Sequence, residues 1–166
     1  MRSQRWARVQ GASLPGRLSW LVIKLGLLAV DAHAQSLDGM ATTEALRFGT
    51  VAVLGPGAVT VFPQGGRLAD GRAYLVGPEQ GGPGQLLVTS RAPNMSFSLT
   101  LPSSFTLSGP NAAGSLSVVQ VSRSPGALTT GPNGSATVTI GGTLQFSGIP
   151  APGTYVGSFS VALTWP

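Results

Sequence analysis

The clearest alternation of apolar and polar positions lies at the C-terminal end of the chain. From Tyr155 the odd positions read Tyr155, Gly157, Phe159, Val161, Leu163 and Trp165, while the even ones are mostly small or hydroxylated. A period of two puts one set of side chains on one face of a strand, so this stretch predicts a strand with one buried face. Such a strand cannot bury its aromatic face alone, and the upstream chain must supply the sheets it packs against.

Upstream, the same period recurs in short pieces. Ala45 to Leu54 predicts a first strand, with Leu46 and Phe48 on one parity before Gly49 breaks the pattern. Gly55-Pro56-Gly57 predicts a turn, and Ala58 to Phe62 returns as a strand, the pair forming a hairpin or a strand that switches sheets. Pro63 to Arg72 is expected to be a turn-rich connection carrying the tight-turn dipeptides Gly65-Gly66 and Asp70-Gly71, followed by a short strand from Ala73 to Val76.

Gln85 to Arg91 and Ser96 to Leu101 predict neighbouring strands, the second placing Phe97, Leu99 and Leu101 toward the core. Phe105 to Leu107, Leu116 to Val121 and Ala136 to Phe146 are further strands. In the last of these, Ala136, Val138, Ile140, Leu144 and Phe146 keep one parity through Gly141-Gly142, which favours one long strand bent at the glycines over two strands joined by a hairpin. Asn133-Gly134 before it is a type I′ turn signal. No helical period follows residue 35. About eight short strands with turn signals at intervals of roughly 8 to 12 residues predict an all-β, antiparallel sandwich.

The N-terminus reads differently. Arg2, Arg5, Arg8 and Arg17 form a basic region, Leu18 to Val30 an apolar run of about 13 residues, and Ala32-His33-Ala34 an A-x-A cleavage site before Gln35. The alternative is a membrane anchor, but a spanning helix needs about 20 apolar residues and Lys24 interrupts the run. Residues 1–34 are therefore expected to be a signal peptide, 35–44 a short polar extension with an Asp38-Gly39 turn signal, and 45–166 the folded domain.

That division changes the meaning of the charge. Of the ten basic residues, Arg2, Arg5, Arg8, Arg17 and Lys24 precede Gln35, leaving Arg47, Arg67, Arg72, Arg91 and Arg123 against Asp38, Glu44, Asp70 and Glu79. The mature chain is nearly neutral, so nucleic acid is not expected as a partner, since that role needs clustered cations on the folded surface. No transmembrane segment remains in it.

After residue 34 the chain has no Cys, His or Lys. Thiol nucleophiles, Ser-His-Asp triads, ordinary zinc sites and Schiff-base chemistry are excluded. The four acids Asp38, Glu44, Asp70 and Glu79 could in principle supply a glycosidase pair, but all sit in turns or in the extension, where turn formation and solubility explain them better. No acidic calcium loop is present. Arg67 and Arg72 bracket Asp70-Gly71 and could grip an anion, although solvated arginines are the commoner case. Tyr155, Phe159 and Trp165 could stack on a sugar, but their shared parity favours core. Asn94-Met95-Ser96 and Asn133-Gly134-Ser135 match the glycosylation sequon, and a turn role suffices for both asparagines. No catalytic, cofactor-binding or metal-binding residue is expected, and no cofactor.

Five stretches carry a resemblance: Leu46 to Val51, Gly57 to Arg67, Pro93 to Pro102, Ile140 to Leu144, and Ala151 to Val161. In this order they resemble the DUF4402 family, exported bacterial β-domains of uncharacterised function that are similar to spore-coat-U and fimbrial subunits. The resemblance implies an immunoglobulin-like, fimbrial-like sandwich in the periplasm or on the cell surface, and it brings no catalytic residues. Family members usually have a longer β-rich segment before the Phe-Gly motif. Here the short polar 35–44 stretch gives a pilin-style donor strand little support. The expected role is a non-enzymatic structural or surface-associated protein, a fimbrial- or coat-like subunit or accessory, whose partners are further copies or other cell-envelope proteins. The alternative is a surface or periplasmic module binding a glycan or other ligand through loops at one end of the sandwich.

Overall fold

The computed structural model describes residues 20–23, 38–77, 81–110 and 114–166, the first of these as backbone only. The described residues form eleven strands and no α-helix. β1 is Trp20–Ile23, β2 Gly39–Glu44, β3 Gly49–Val61, β4 Arg67–Leu75, β5 Gly84–Thr89 and β6 Ser98–Thr100. β7 is Ser104–Ser108, β8 Ser115–Ser124, β9 Ser135–Phe146, β10 Gly153–Tyr155 and β11 Ala162–Thr164. Every ladder is antiparallel except β1 with β10. The fold is an all-β sandwich.

The long strand expected over Ala136 to Phe146 is β9, unbroken through Gly141-Gly142. It shows why glycines belong there. Along one edge β9 pairs first with β5, from Ser135 to Ile140, and then with β3, from Gly142 to Phe146. Its other edge pairs with β8. Gly141 sits at the handover, where a Cβ would strike the Val61 carbonyl and the Pro63 ring. The close approach of the β3 end excludes a side chain.

Two expected turns are corrected. Gly55-Pro56-Gly57 does not turn the chain: β3 runs on through it, with Val51, Val53, Val59 and Val61 all buried. The register moves from Val53 opposite Ala73 to Gly57 opposite Gly71, so Leu54, Gly55 and Pro56 face Arg72 alone. This is a bulge, a place in a strand where proline is tolerated. Asp70-Gly71 lies inside β4, whose strand begins at Arg67 rather than Ala73. The actual hairpin is at 62–66, where the Phe62 amide donates to the Gly66 carbonyl, the Gly65 amide donates to the Phe62 carbonyl, and Gly65 and Gly66 have φ of 97° and 88°.

The first strand also starts later than expected, at Gly49 with φ 73°, although Leu46 and Phe48 are buried as their parity requires. Gly39–Glu44, from the stretch set apart as an extension, is β2 and pairs with β5.

Ser96 to Leu101 is not a neighbour of Gln85 to Arg91. β5 lies between β2 and β9, whereas β6 pairs with β11 in a separate two-stranded sheet. The two segments meet face to face instead: Leu86, Val88, Val138 and Ile140 pack against Phe97, Leu99 and Leu128. A second cluster, containing Leu46, Phe48, Val59, Leu107, Leu144 and Tyr155, fills the other half of the molecule.

The C-terminal stretch joins the two halves. Its alternation survives to the end, since Tyr155 is buried, the odd positions from 157 to 165 are half-buried, and the even ones from 156 to 166 are exposed. It is not one strand, however. Val156 pairs with Ser108, residues 157–161 lie between strands, and Ala162–Thr164 pairs with β6. Phe159 packs against both clusters at the crossing.

Candidate functional site

The residues that could carry chemistry are spread over separate elements. Asp38 accepts a bond from the Arg91 amide at 2.6 Å, and Asp70 accepts one from the Gly71 amide at 2.7 Å. Glu44 ends β2, and Glu79 lies outside the described residues. Among the described residues no group of three or more His, Cys, Asp or Glu side chains could hold a metal ion.

Two of the arginines, Arg67 and Arg123, serve the backbone. Arg67 donates to the Phe48 carbonyl at 2.8 Å, tying the start of β4 to the entry of β3. Arg123 donates to the carbonyls of Pro125 and Gly126 at 3.0 and 2.9 Å. Arg72 is exposed opposite the bulge, its Cδ 2.9 Å from where a Cβ on Gly55 would stand. Arg67 and Arg72 therefore bracket no turn.

The aromatic residues pack rather than form a platform. Tyr155 is 1% exposed and its hydroxyl donates to the Ala151 carbonyl at 3.0 Å; burial raises its pKa above the usual 10. Phe159 lies 4.6 Å from Phe105 between ring centroids, and Trp165 lies 5.6 Å from Phe97. The asparagines of both sequons, Asn94 and Asn133, are exposed in loops at one end, joined by the Asn94 amide bond to the Gly131 carbonyl.

Two adjoining shallow grooves of about 360 and 270 Å³ share Ser115, Leu116 and Ser147 as walls. No charged side chain lines either one.

The other features are backbone edges. Among the described residues β4 pairs only with β3, so its second edge is open. It carries exposed Leu68 and Tyr74, 57% and 51% accessible, with Leu75 at 38% and Phe62 exposed at the hairpin. Sequence reasoning missed this edge because Leu68 fell in a segment taken as a turn. The short strand expected over Ala73 to Val76 covers only the end of β4, which begins at Arg67.

The sheet containing β3 also curls back on itself. β3 pairs with β9, β9 with β8, and β8 with β7; Ser108 at the end of β7 exchanges two backbone bonds with Val156, at 2.7 and 3.0 Å. β1 lies between β10 and β3 and closes the circuit.

The model of one family, described as a domain of unknown function (DUF4402), matches residues 39–165. The chain belongs to the DUF4402 family. No curated protein and no solved structure matches it. The matched span of this DUF4402 chain opens at the first residue of β2 and closes one residue past β11. Among the described residues β1 is the one strand outside it. No helix among the described residues is long and apolar enough to cross a membrane.

Proposed function

We propose that this DUF4402 chain is a non-enzymatic, exported structural or surface-associated protein, a fimbrial- or coat-like subunit or accessory. The observation that carries this reading is the open edge of β4. An apolar edge strand with free N–H and C=O groups is a template for pairing with another chain, and soluble monomers usually blunt such edges with charge, proline or cover. β4 has Arg67, Asp70 and Arg72 among its nine residues, yet Leu68, Tyr74 and Leu75 remain accessible. Further copies of the chain or other envelope proteins are the partners this edge suits. The scatter of acids and the service of Arg67 and Arg123 to the backbone support a role without chemistry. Export rests on the basic, apolar and A-x-A segments before Gln35.

The test is fractionation of a bacterium producing the full chain, with protease shaving of intact cells. The expected result is envelope-associated protein in assemblies larger than a monomer. Cytoplasmic, monomeric protein would contradict it.

The grooves beside Ser115 and Ser147 favour a second reading, a periplasmic or surface module for a glycan or other small ligand. Their hydroxyl groups, Gln145 and the neighbouring Tyr155 suit uncharged polar ligands rather than anions. A glycan array with no binding at any concentration tested would remove it.

A further inference from the structure

We propose that the seam between β3 and β10 is a strand-binding slot for an extended apolar segment, and that the chain's own Trp20–Ile23 is its occupant. This goes beyond the structural role proposed above and stands without it.

The seam is defined on both sides by backbone. Trp20 to Ile23 runs antiparallel to β3, Trp20 opposite Ala52 and Ile23 opposite Gly49. It runs parallel to β10, Leu21 opposite Gly153 and Ile23 opposite Tyr155. β10 pairs with no other named strand among the described residues, and only the bridge from Val156 to Ser108 ties that segment to β7. Take the segment out and the ring β3-β9-β8-β7-β10 is open at one place. The opening leaves a strand edge on each side, directly over the cluster containing Val51, Val53 and Tyr155, all 1% exposed or less. Two unpaired edges flanking a buried core are costly, because each backbone donor and acceptor there needs a partner.

The occupant's chemistry follows. It must be extended, lack proline over four residues, and favour a strand, which Trp-Leu-Val-Ile does through its aromatic and β-branched residues. The same residues belong to the apolar run read as the core of an export signal, and they lie outside the 39–165 span of the family domain. The family domain thus has a place in its sheet that its own span does not fill. Removal of residues 1–34 would take the occupant away and leave the edges of β3 and β10 without it.

The chain lacks cysteine, which makes disulfide trapping direct. The full-length protein is made cell-free, so that residues 1–34 are retained, with Val22→Cys and Thr50→Cys, which stand opposite each other in the β1–β3 register. Paired Cα atoms in an antiparallel ladder are about 4.5 to 5.5 Å apart, within disulfide reach. Thr89→Cys with Ser135→Cys, opposite in the β5–β9 register, controls for oxidation, and Val22→Cys with Thr60→Cys controls for chance encounter. The expected result is an intramolecular bond for the 22/50 pair, as complete as for 89/135 and absent for 22/60. No bond at 22/50 while 89/135 forms would overturn the proposal. A bond at 22/50 that links two chains would also overturn it, by making a second copy the occupant.

Hydrogen exchange on the full-length Val22→Pro variant gives an independent readout. Amides of 153–155 should exchange roughly tenfold or more faster while those of β9 keep their protection, as for a local opening. Unchanged exchange at 153–155 would count against the slot.

Discussion

Gly57 and Gly71 stand opposite each other where the β3 bulge meets β4, and Gly57 occupies the space a side chain on Gly71 would need. A Cβ on Gly71 would lie 2.7 Å from the Gly57 Cα and 2.7 Å from the Pro56 carbonyl oxygen, and Gly71 has φ 68°. Crowding and left-handed backbone coincide there. Gly71→Ala is expected to cost about 2 to 3 kcal/mol in chemical denaturation. Gly65→Ala, with φ 97° but nothing within 4 Å of its Cβ, should cost about 1 kcal/mol. Equal losses would mean that backbone conformation alone, and not the close approach, holds the bulge.

Phe159 tests the crossing of the C-terminal segment. It touches both apolar clusters and stacks on Phe105, so Phe159→Asp should leave a carboxylate against apolar surface and prevent folding, while Ser160→Asp on the exposed parity should change stability by less than about 0.5 kcal/mol. Circular dichroism melts of the two variants decide it. Similar melting temperatures would break the assignment of faces.

A polar ladder crosses the sheet at Thr143. Its hydroxyl donates to Gln120 Oε1 at 3.2 Å, which leaves it to accept from the Thr60 hydroxyl at 3.0 Å. Thr143 is nearly buried, and Gln120 adopts φ 53° at the β8 bulge. Thr143→Val should cost about 1 kcal/mol and Thr60→Val no more than that, with less than additive loss in the double variant. Full additivity in urea titrations would show that the three groups do not act together.

Tyr155 gives the alkaline limb of stability. Its folded pKa is raised by burial above the unfolded value of about 10, so the folded state holds the phenolic proton more tightly. The contribution is complete below pH about 10 and declines as pH rises from there through the folded pKa. Melting temperature followed from pH 8 to pH about 11.5 should fall less in Tyr155→Phe than in the parent. Parallel curves would place the alkaline loss elsewhere.

The parts of the fold legible in the sequence are those that depend on side-chain parity alone. Val138, Ile140, Leu144 and Phe146 declared one strand through two glycines, and Tyr155 to Trp165 declared one buried face although its backbone pairs piecemeal, with β1, with Ser108 and with β6. Turn chemistry misled at Gly55-Pro56-Gly57 and Asp70-Gly71, because the residues that make a tight turn also permit a bulge and a close approach of two backbones. Which of these occurs depends on β3 and β4 lying together, information no local window contains. Partner choice was hidden for the same reason. Ser96 to Leu101 alternates as well beside β11 as it would beside β5, and the apolar run holding Trp20 to Ile23 gave no sign of a place in the sheet. The scatter of Asp38, Glu44 and Asp70 could be read in advance from their positions in separate polar segments.

The most direct measurement on the central claim is the mass in solution of the chain as recovered from cells, by size-exclusion chromatography with light scattering over a range of concentrations, beside the variant with Leu68→Lys and Tyr74→Lys. The account predicts assemblies that grow with concentration for the parent and a monomer for the variant, since charge on an edge strand blocks pairing. A parent that stays monomeric throughout would contradict a structural role built on the β4 edge.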